Sequence, residues 1–454
     1  MVSPGAYNLV AQVDPNNAEF DENNNQAIAS VSVAGTDAVL DWNSVLLNAV
    51  QTQGTLDRTN DVKLTDDIVP GEAPPIEACD AAIMSLAQYE AINAISGNGS
   101  NYLEDPITPT EGASAAAAAV GAAYQVLTTL FPEQTSTFDL QVAQSLAEIE
   151  DNPRAESLGF NFGLAVGSGV LATRAGDGSD VAQRPYTPGS NPGDYNETNE
   201  KGTVKAMLAN FGDVTPFALE DLADFRPDGP PEYGSEEFMQ ETEQVRLFGG
   251  RTDTDRTQLL RTEDQTEIAQ FWAYDRTDTF RPPGQWIEIA QSIALDQGNS
   301  LEENARLFAQ LSVAMADAGI VAWDTKYTFN QQRPFNTIVQ DELSGATDDP
   351  DWRPLLDTPP FPDYISGHAT FGGAAASVLE SFFGEDLSFE VASQELPGVT
   401  RTFDGSGDLN SFEEAALENA NSRLYGGVHL NSSNLDGLAT GQEVGAYVAD
   451  NFLT

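Results

Sequence analysis

The chain has 454 residues, which is enough for two or three domains or one large one, and 40% of them are hydrophobic and can supply a core. It carries 71 acidic residues against 20 basic ones, a net charge of −51 that is spread along the chain rather than collected in a tail. This charge excludes nucleic acid and an anionic membrane surface as partners, because both would be repelled.

The N-terminal part of the chain is predicted to be an extension followed by helices. Residues 1–35 begin "MVSPGAYNLVAQVDPNN", with no basic start and no apolar run, so we predict no signal peptide. The protein is expected to be soluble, and either cytoplasmic or exported after removal of a leader. Thr36 is the expected N-cap of a helix through "DAVLDWNSVLLNAV". A second helix is expected over about residues 76–95, where apolar residues recur at three- and four-residue spacing.

An uncharged stretch over residues 113–131 has the length of a membrane span, but it is mostly alanine and contains serine, glutamine and threonine. It is too weakly hydrophobic for a span, so we predict a buried helix that ends at Pro132. Two further helices are expected through "STFDLQVAQSLAEI" and "RAESLGFNFGLAVGSGVLATRA". The Pro-, Gly-, Asn- and Asp-rich residues 176–202 then indicate a long loop or a domain boundary.

The C-terminal part is also predicted to be helical, beginning with "SEEFMQETEQVRLF" and "TEIAQFWAYD". The clearest helix runs through "NSLEENARLFAQLSVAMADAGIVAWDTKYTFNQQRP", where Ser300 and Glu303 form a capping box and Pro334 is expected to end the helix. No alternating run of Val, Ile and Thr is long enough to demand a sheet. We therefore predict an all-α protein with an N-terminal helical half, residues 36–202, and a C-terminal helical half, residues 203–454, which together form one compact unit.

Two cations on the last of these helices are the first candidate functional residues. Lys326 and Arg333 are seven residues apart, nearly two helical turns, so both are expected on one face, with Trp323 beside them. Two cations on one face favour an anion between them. The alternative is a pair of solvated charges near a helix end, but lysine occurs only four times in the chain, at Lys63, Lys201, Lys205 and Lys326.

The only two histidines supply the remaining candidates. Ser366 is a natural N-cap for the helix "ATFGGAAASVLESFF", Gly367 allows close approach to the backbone, and His368 would lie in the first turn, where free N–H groups suit an oxyanion. Arg423 and His429 lie in "NSRLYGGVHL", with His429 on a turn after the helix. Taken singly, these could be a capped helix, a salt-bridged arginine and a buried histidine. Together they indicate a site for a tetrahedral oxyanion.

Three ordered motifs resemble a known family. "KYTFNQQRP" fits Lys-x6-Arg-Pro, "YISGHA" fits Pro-Ser-Gly-His, and "SRLYGGVH" fits Ser-Arg-x5-His. In this order they are similar to the vanadium-dependent haloperoxidases and the related type 2 phosphatidic acid phosphatase superfamily. Segments such as "TPPFPDYISGHATFGGAAA" and "PYTPGSNPGDY" extend the resemblance over most of the chain after about residue 40, to the soluble haloperoxidase-like branch.

The resemblance implies the helical-bundle fold of acid phosphatases and vanadium haloperoxidases, with vanadate as the cofactor and phosphate able to occupy the same site. Lys326, Arg333, Arg423, Ser366 and Gly367 would bind the vanadate oxygens. His429 would be the axial vanadium ligand, and His368 the acid–base group. Trp323 and Phe361 match positions that line the halide site in the family's chloroperoxidases, although both could be plain aromatic core. The expected substrates are hydrogen peroxide, a halide and a small organic acceptor, and related enzymes suggest a homodimer.

Two departures from the motifs leave a second activity open. Ile365 replaces the proline of Pro-Ser-Gly-His, and Ser433 stands where the phosphatases carry an aspartate that orients the second histidine, the next acid being Asp436. The latter favours vanadate chemistry over a soluble acid phosphatase in which His429 would form a phosphohistidine. A third possibility is a non-catalytic oxyanion-binding scaffold.

Three expectations follow from composition and local pattern. The acidic charge predicts a protein from a high-salt organism that needs salt to stay folded, since molar salt shortens the Debye length to about 3 Å. Cys79, the only cysteine, excludes an internal disulfide framework and is expected to be small core filler. "DGSGDLN", starting at Asp404, is a possible calcium loop, although it lacks the closing glutamate of an EF-hand; a solvated acidic loop is the alternative.

Overall fold

The protein is predominantly helical, as predicted. A computed structural model describes residues 5–12, 26–33, 37–65, 69–179, 183–340 and 348–454. The helices are α1 Ala38–Thr59, α2 Pro74–Ser96, α3 Ala115–Leu130, α4 Thr135–Glu148, α5 Pro153–Thr173, α6 Glu236–Gly249, α7 Glu263–Phe271, α8 Arg281–Gln297, α9 Leu301–Phe329, α10 Pro334–Gln340, α11 Gly367–Phe383, α12 Ser411–Gly426 and α13 Asn431–Asn451.

Three small antiparallel hairpins accompany the helices. They pair β1 Gly5–Gln12 with β2 Gln26–Val33, β3 Thr198–Asn199 with β4 Gly202–Thr203, and β5 Phe389–Ala392 with β6 Thr400–Phe403. The first hairpin aligns Gly5 with Val33 and Gln12 with Gln26. It falls in the predicted N-terminal extension, for which no strands were predicted.

The described residues divide into two compact units that interleave along the chain. One comprises Met1–Ala49, Met84–Val170 and Glu288–Arg306; the other comprises Val50–Ile83, Leu171–Ile287 and Leu307–Thr454. Compact units need not be independently folding domains, so the sequence-based division into residues 36–202 and 203–454 stays a prediction.

In the first unit, α3 and α5 pack at backbone contact. A Cβ added to Gly163 would lie 2.0 Å from the carbonyl oxygen of Ala118, so only glycine permits this approach. The uncharged stretch is the largely buried helix that its composition predicted. Thr36 lies outside the described residues. Asp37 caps α1 instead, because its Oδ1 accepts from the N–H groups of Val39 and Leu40 at 2.9 and 3.2 Å.

In the second unit, α11 packs against α12 and α13. A Cβ on Gly373 or Gly441 would lie 2.3 or 2.1 Å from a backbone carbonyl oxygen of the facing helix, so small residues set the separation of α11 and α13. An apolar cluster that includes Phe238 of α6, Phe335 of α10 and Leu424 of α12 lies beside them. This packing fixes the start of α11, where the candidate site lies.

Helix α9 corrects one prediction and confirms another. The capping box at Ser300 and Glu303 is present. The helix, however, ends at Phe329, followed by Asn330 with φ of +55°, and Pro334 begins α10 instead of ending α9. A first-turn proline is favourable because its missing N–H has no helical partner there. Lys326 and Arg333 therefore do not share a helical face.

Among the described helices, α9 is the only single helix with the length and composition of a membrane span. In its most apolar window, 94% of the residues are buried inside the protein, as expected for the core helix of a water-soluble protein. Cys79 is buried in α2, where burial raises the pKa of its thiol well above the usual value, as expected for core filler.

Candidate active site

The predicted site residues come together in the second unit from five places in the fold. Lys326 lies near the end of α9, and Arg333 lies in the loop before α10. Ser366, Gly367 and His368 form the start of α11. Arg423 lies in the last turn of α12, and His429 lies in the turn between α12 and α13. All are buried, and the charges of Lys326, Arg333 and Arg423 all lower the pKa of His429, so the groups are close neighbours.

The Lys326 ammonium is held by main-chain oxygens of the loop before α11. It donates to the carbonyls of Pro362 and Asp363 at 3.1 and 3.0 Å, and also to that of Ile365. Burial lowers its pKa well below the ordinary value, and Arg333 lowers it further. These three acceptors fix the position of the charge.

Arg333 is held by main-chain oxygens and keeps one nitrogen free for a ligand. Its Nε donates to Phe361 O at 2.7 Å and its Nη1 to Val428 O at 2.8 Å, while its buried Nη2 has no partner. An unpartnered buried guanidinium nitrogen is costly unless a ligand completes its bonding.

Arg423 repeats this arrangement. Its Nη2 donates to Asp275 Oδ2 at 2.7 Å and its Nη1 to Trp272 O at 3.4 Å, and its buried Nε has no partner. Asp275 thus fixes the guanidinium while leaving one N–H available.

The start of α11 supplies a hydroxyl and free backbone N–H groups. Ser366 is the N-cap, as predicted, because its Oγ accepts from Ala369 N at 3.5 Å. N–H groups in the first turn of a helix have no intrahelical acceptor. A Cβ on Gly367 would lie 3.2 Å from the Trp323 ring, so glycine leaves room for both the ring and a ligand.

His368 is neutral at pH 7 and its tautomer is defined. Burial, followed by the charge of Arg423, lowers its pKa to about 4. Its Nε2 lies 2.8 Å from Ala273 O, and because a carbonyl only accepts, Nε2 carries the proton. Nδ1 is therefore left as the acceptor that could take a proton.

His429 is neutral with the opposite tautomer. Burial, followed by the charge of Arg333, lowers its pKa well below the ordinary value. The Ser433 hydroxyl donates to Asp363 O at 3.0 Å, so its oxygen can only accept from His429 Nδ1, 3.1 Å away. Nδ1 therefore carries the proton and Nε2 the lone pair. Nη1 of Arg333 lies 3.1 Å from Nε2 and 3.4 Å from Nδ1.

Asp363 is a site residue that the sequence analysis missed. Its side chain is fully buried, with Oδ1 2.8 Å from His429 Nδ1 and 3.7 Å from Arg333 Nη1. Burial raises its pKa to about 7 against the lowering effects of Arg333 and Lys326. The aspartate absent at position 433 is thus replaced, through space, by one from the loop before α11.

Trp323 and Phe361 form an aromatic wall beside the cations. Their ring centroids are 5.0 Å apart, and the Phe361 centroid lies 5.0 Å from Lys326 Nζ and 4.8 Å from Arg333 Cζ. Both rings are buried, and Trp323 Nε1 has no hydrogen-bond partner. The wall is part of the core and lies against two of the predicted site residues.

These residues fit a tetrahedral oxyanion. Three buried basic residues, Lys326, Arg333 and Arg423, outnumber the two carboxylates of Asp363 and Asp275. Two guanidinium nitrogens lack partners, and the helix start offers further donors. A bound oxyanion would supply both the acceptors and the negative charge.

The structure adds no support for the calcium alternative. Asp404 is fully exposed, and its carboxylate accepts from the N–H of Ser406. Over the ranges that the structure describes, no group of three or more His, Cys, Asp or Glu side chains is placed to hold a metal ion.

Comparisons with known proteins agree with this site. A family model for the second helical-bundle domain of vanadium chloroperoxidase (VCPO) matches residues 306–453, which contain every predicted site residue. Vanadium chloroperoxidase of Curvularia inaequalis is 26% identical over 463 aligned positions, covering 79% of this chain and 74% of that protein. The crystal structure of a bacterial vanadium-dependent iodoperoxidase superimposes with a TM-score of 0.73 at 27% identity, covering 89% of this chain and 95% of the other.

The family model, the chloroperoxidase relative and the iodoperoxidase structure together support a member of the vanadium haloperoxidase family. An apo-type bacterial vanadium-dependent chloroperoxidase, 16% identical, has the same fold with a TM-score of 0.64 over 87% of this chain and 96% of its own. The helical-bundle fold predicted from the motifs is confirmed by these structures. Similarity to a vanadium chloroperoxidase and a vanadium-dependent iodoperoxidase supports an enzyme with haloperoxidase function.

Proposed function

We propose that the protein is a vanadate-dependent haloperoxidase that oxidises halide with hydrogen peroxide to hypohalous acid. The observation that carries the proposal is the pairing of a neutral His429, whose unprotonated Nε2 faces Arg333 Nη1 at 3.1 Å, with the unpartnered guanidinium nitrogens of Arg333 and Arg423. A nitrogen ligand for the metal and donors for its oxygens therefore lie in one buried place.

The roles follow from the contacts of each group. Lys326, Arg333, Arg423, the Ser366 hydroxyl and the Gly367 N–H would hold the oxygens of vanadate, and His429 Nε2 would ligate vanadium. When bound, vanadate supplies Lewis acidity toward hydrogen peroxide. Three fixed cations would stabilise negative charge on the oxygens without reorganising, because main-chain carbonyls or Asp275 already hold them in place.

His368 would manage the proton. Its N–H is fixed by the Ala273 carbonyl, and its Nδ1 can accept a proton from hydrogen peroxide and return it to the departing oxygen. Overall, halide, hydrogen peroxide and one proton give hypohalous acid and water, which would then halogenate an organic acceptor. Trp323 and Phe361 would line the halide position, where the Lys326 charge lies over the Phe361 ring.

A soluble acid phosphatase remains the second candidate, and one observation favours it. The carboxylate of Asp363, 2.8 Å from Nδ1, gives His429 the acidic partner that a nucleophilic histidine uses, so Ser433 no longer counts against phosphohistidine chemistry. His368 would then protonate the leaving group. Trigonal-bipyramidal vanadate resembles the phosphoryl-transfer transition state, so one site can suit either reaction.

Parallel assays of one preparation separate the candidates. The apoprotein would be purified in molar KCl and assayed with and without orthovanadate for peroxide-dependent halogenation of a phenol dye with chloride, bromide or iodide. Hydrolysis of p-nitrophenyl phosphate would be measured beside it without vanadate. Vanadate-dependent halogenation that His429→Ala abolishes supports the haloperoxidase. Phosphate release that vanadate inhibits supports the phosphatase, and vanadate binding with neither activity would leave the non-catalytic scaffold.

A further inference from the structure

A cavity in the second unit borders residues that contact the candidate site, and its charge differs from that of the rest of the protein. Its volume is about 710 Å³. Its wall includes Ala273, which accepts from His368, Asp275, which pairs with Arg423, and Phe361, which lies against Lys326 and Arg333. We call this cavity the mouth.

The mouth is lined by more basic than acidic residues. Its basic residues are Lys63, Lys201, Lys205, Arg276 and Arg281, and its acidic residues are Asp275, Asp357 and Glu395. In the whole chain, by contrast, 71 acidic residues face 20 basic ones. Three of the four lysines line the mouth, and the fourth, Lys326, lies in the site. A distribution of solvated charges unrelated to ligands would not concentrate so scarce a residue in one cavity.

The outer cations are exposed, and each pairs with an aspartate. Side-chain exposure is 71% for Lys63, 60% for Lys201 and 62% for Arg276. Lys201 pairs with Asp357 at 2.6 Å, and both side chains remain 60% exposed, so the pair can open toward a ligand at small cost. Arg281, by contrast, is buried among acidic residues and is part of the packed lining of the mouth.

The remaining lining is largely apolar, with Leu64, Val204, Met207, Leu355, Leu356 and Pro360 among it. A halide ion needs neither this apolar surface nor this volume, which lies in the range of cavities for small organic ligands. At molar salt the Debye length is about 3 Å, so attraction of a distant anion by the lysines is screened. These lysines would therefore act by direct contact with the ligand.

We infer that the mouth binds a small organic anion, with its carboxylate against the lysines and its apolar body along the apolar wall, as the acceptor that is halogenated. The assignment as acceptor rests on the proposed function, whereas binding of the anion does not. In a chain of net charge −51, the local cations would also offset the repulsion that an anionic substrate otherwise meets.

The test compares 4-hydroxybenzoate with its neutral methyl ester, by titration calorimetry on the apoprotein at the lowest KCl concentration that preserves helical circular dichroism. The wild type should bind the carboxylate at least about fivefold more tightly than the ester. Lys201→Gln with Lys205→Gln should weaken carboxylate binding about fivefold and ester binding less than twofold, as expected for exposed ion pairs. Arg256→Gln is the matched control, since Arg256 lies outside the mouth lining and pairs with Asp348 at 3.2 Å, both half exposed.

Equal binding of acid and ester, no binding of the acid, or an equal effect of Arg256→Gln would overturn the inference. Because the titration contains no vanadate, peroxide or halide, its result is independent of the proposed activity. Bromination of the two compounds by the vanadate-loaded enzyme then tests the acceptor role. A preference for the acid that hypobromous acid alone does not show, and that the lysine variant loses, is expected. The same preference with free hypobromous acid would contradict the acceptor role.

Discussion

His429 Nδ1 lies beside two oxygens, one a hydrogen-bond acceptor and one a carboxylate oxygen, and removing both is the sharpest perturbation of the site. Ser433 Oγ lies 3.1 Å from Nδ1 and Asp363 Oδ1 2.8 Å from it. Ser433→Ala removes the first, and Asp363→Leu, an apolar replacement of similar shape, removes the second. The hydrogen bond to Ser433 contributes about 1 kcal/mol, and the Asp363 carboxylate adds an electrostatic attraction although its Oδ1 makes no hydrogen bond, so the double variant should lose at least about 1 kcal/mol of preference for the proton on Nδ1.

Each single variant keeps one of the two oxygens and should keep the wild-type tautomer. The double variant should lose it, with a fall in halogenation rate of about 10- to 100-fold, the usual effect of removing the partners of a ligating histidine. Vanadate affinity reports the loss of the two oxygens less clearly than the tautomer and the halogenation rate do. Removing Asp363 also removes a negative charge 3.7 Å from Arg333 Nη1, and the less neutralised guanidinium should bind an anion more strongly.

The assay is nitrogen-15 NMR of histidine-labelled protein at pH 7.5. With only two histidines, His429→Ala alone assigns the spectrum. We expect a proton on Nδ1 of His429 and on Nε2 of His368. Asp349→Asn is the control for replacing a buried aspartate, since Asp349 binds Thr254 and Thr257 instead of a site residue. A wild-type proton on Nε2 of His429, or an unchanged tautomer in a folded double variant, would refute the reasoning.

Three further predictions concern stability. The unfolding temperature by circular dichroism should rise between 0.1 and 1 M KCl, as the Debye length falls from about 10 to 3 Å; equal temperatures would contradict the salt requirement. Burial raises the pKa of Glu288 from 4.5 to about 7, so its ionised form costs the folded state stability as pH rises through this window. Glu288→Gln should therefore raise the free energy of unfolding by about 2–3 kcal/mol at pH 8 and leave it unchanged at pH 4; an equal gain at both pH values would exclude this cause. Gly441→Ala places a Cβ 2.1 Å from the carbonyl oxygen of Thr370 and should cost about 1–3 kcal/mol in urea unfolding, whereas exposed Ala439→Ser should cost under about 0.5 kcal/mol.

Local signals in the sequence predicted the elements that carry the site. The serine cap of α11 and the turn that carries His429 after α12 depend on neighbours a few residues away, and both form as predicted. The end of α9 did not follow from local pattern, because the residues after Phe329 are compatible with helix. Distant contacts break the helix there: Asn330 O accepts from Tyr195 N at 2.7 Å, and Arg333 Nε donates to Phe361 O.

Two other features depend on contacts between residues far apart in the chain. Asp363 carries no local signal, since an acid before a Ser-Gly-His element is unremarkable in so acidic a chain. Its meaning appears only when His429, 66 positions later, packs against it. The mouth likewise draws on Lys63, Lys201 and Leu355, which no spacing rule connects.

Vanadate retention measured with activity tests the central claim most directly. The apoprotein would be titrated with orthovanadate and gel-filtered, and bound vanadium would be measured by mass spectrometry beside peroxide-dependent bromination. We expect activity to rise in proportion to bound vanadium, to saturate at one vanadium per chain, and to be absent with His429→Ala, which should retain less metal. Vanadium bound without oxidation of any halide, or halogenation independent of vanadium, would contradict the account.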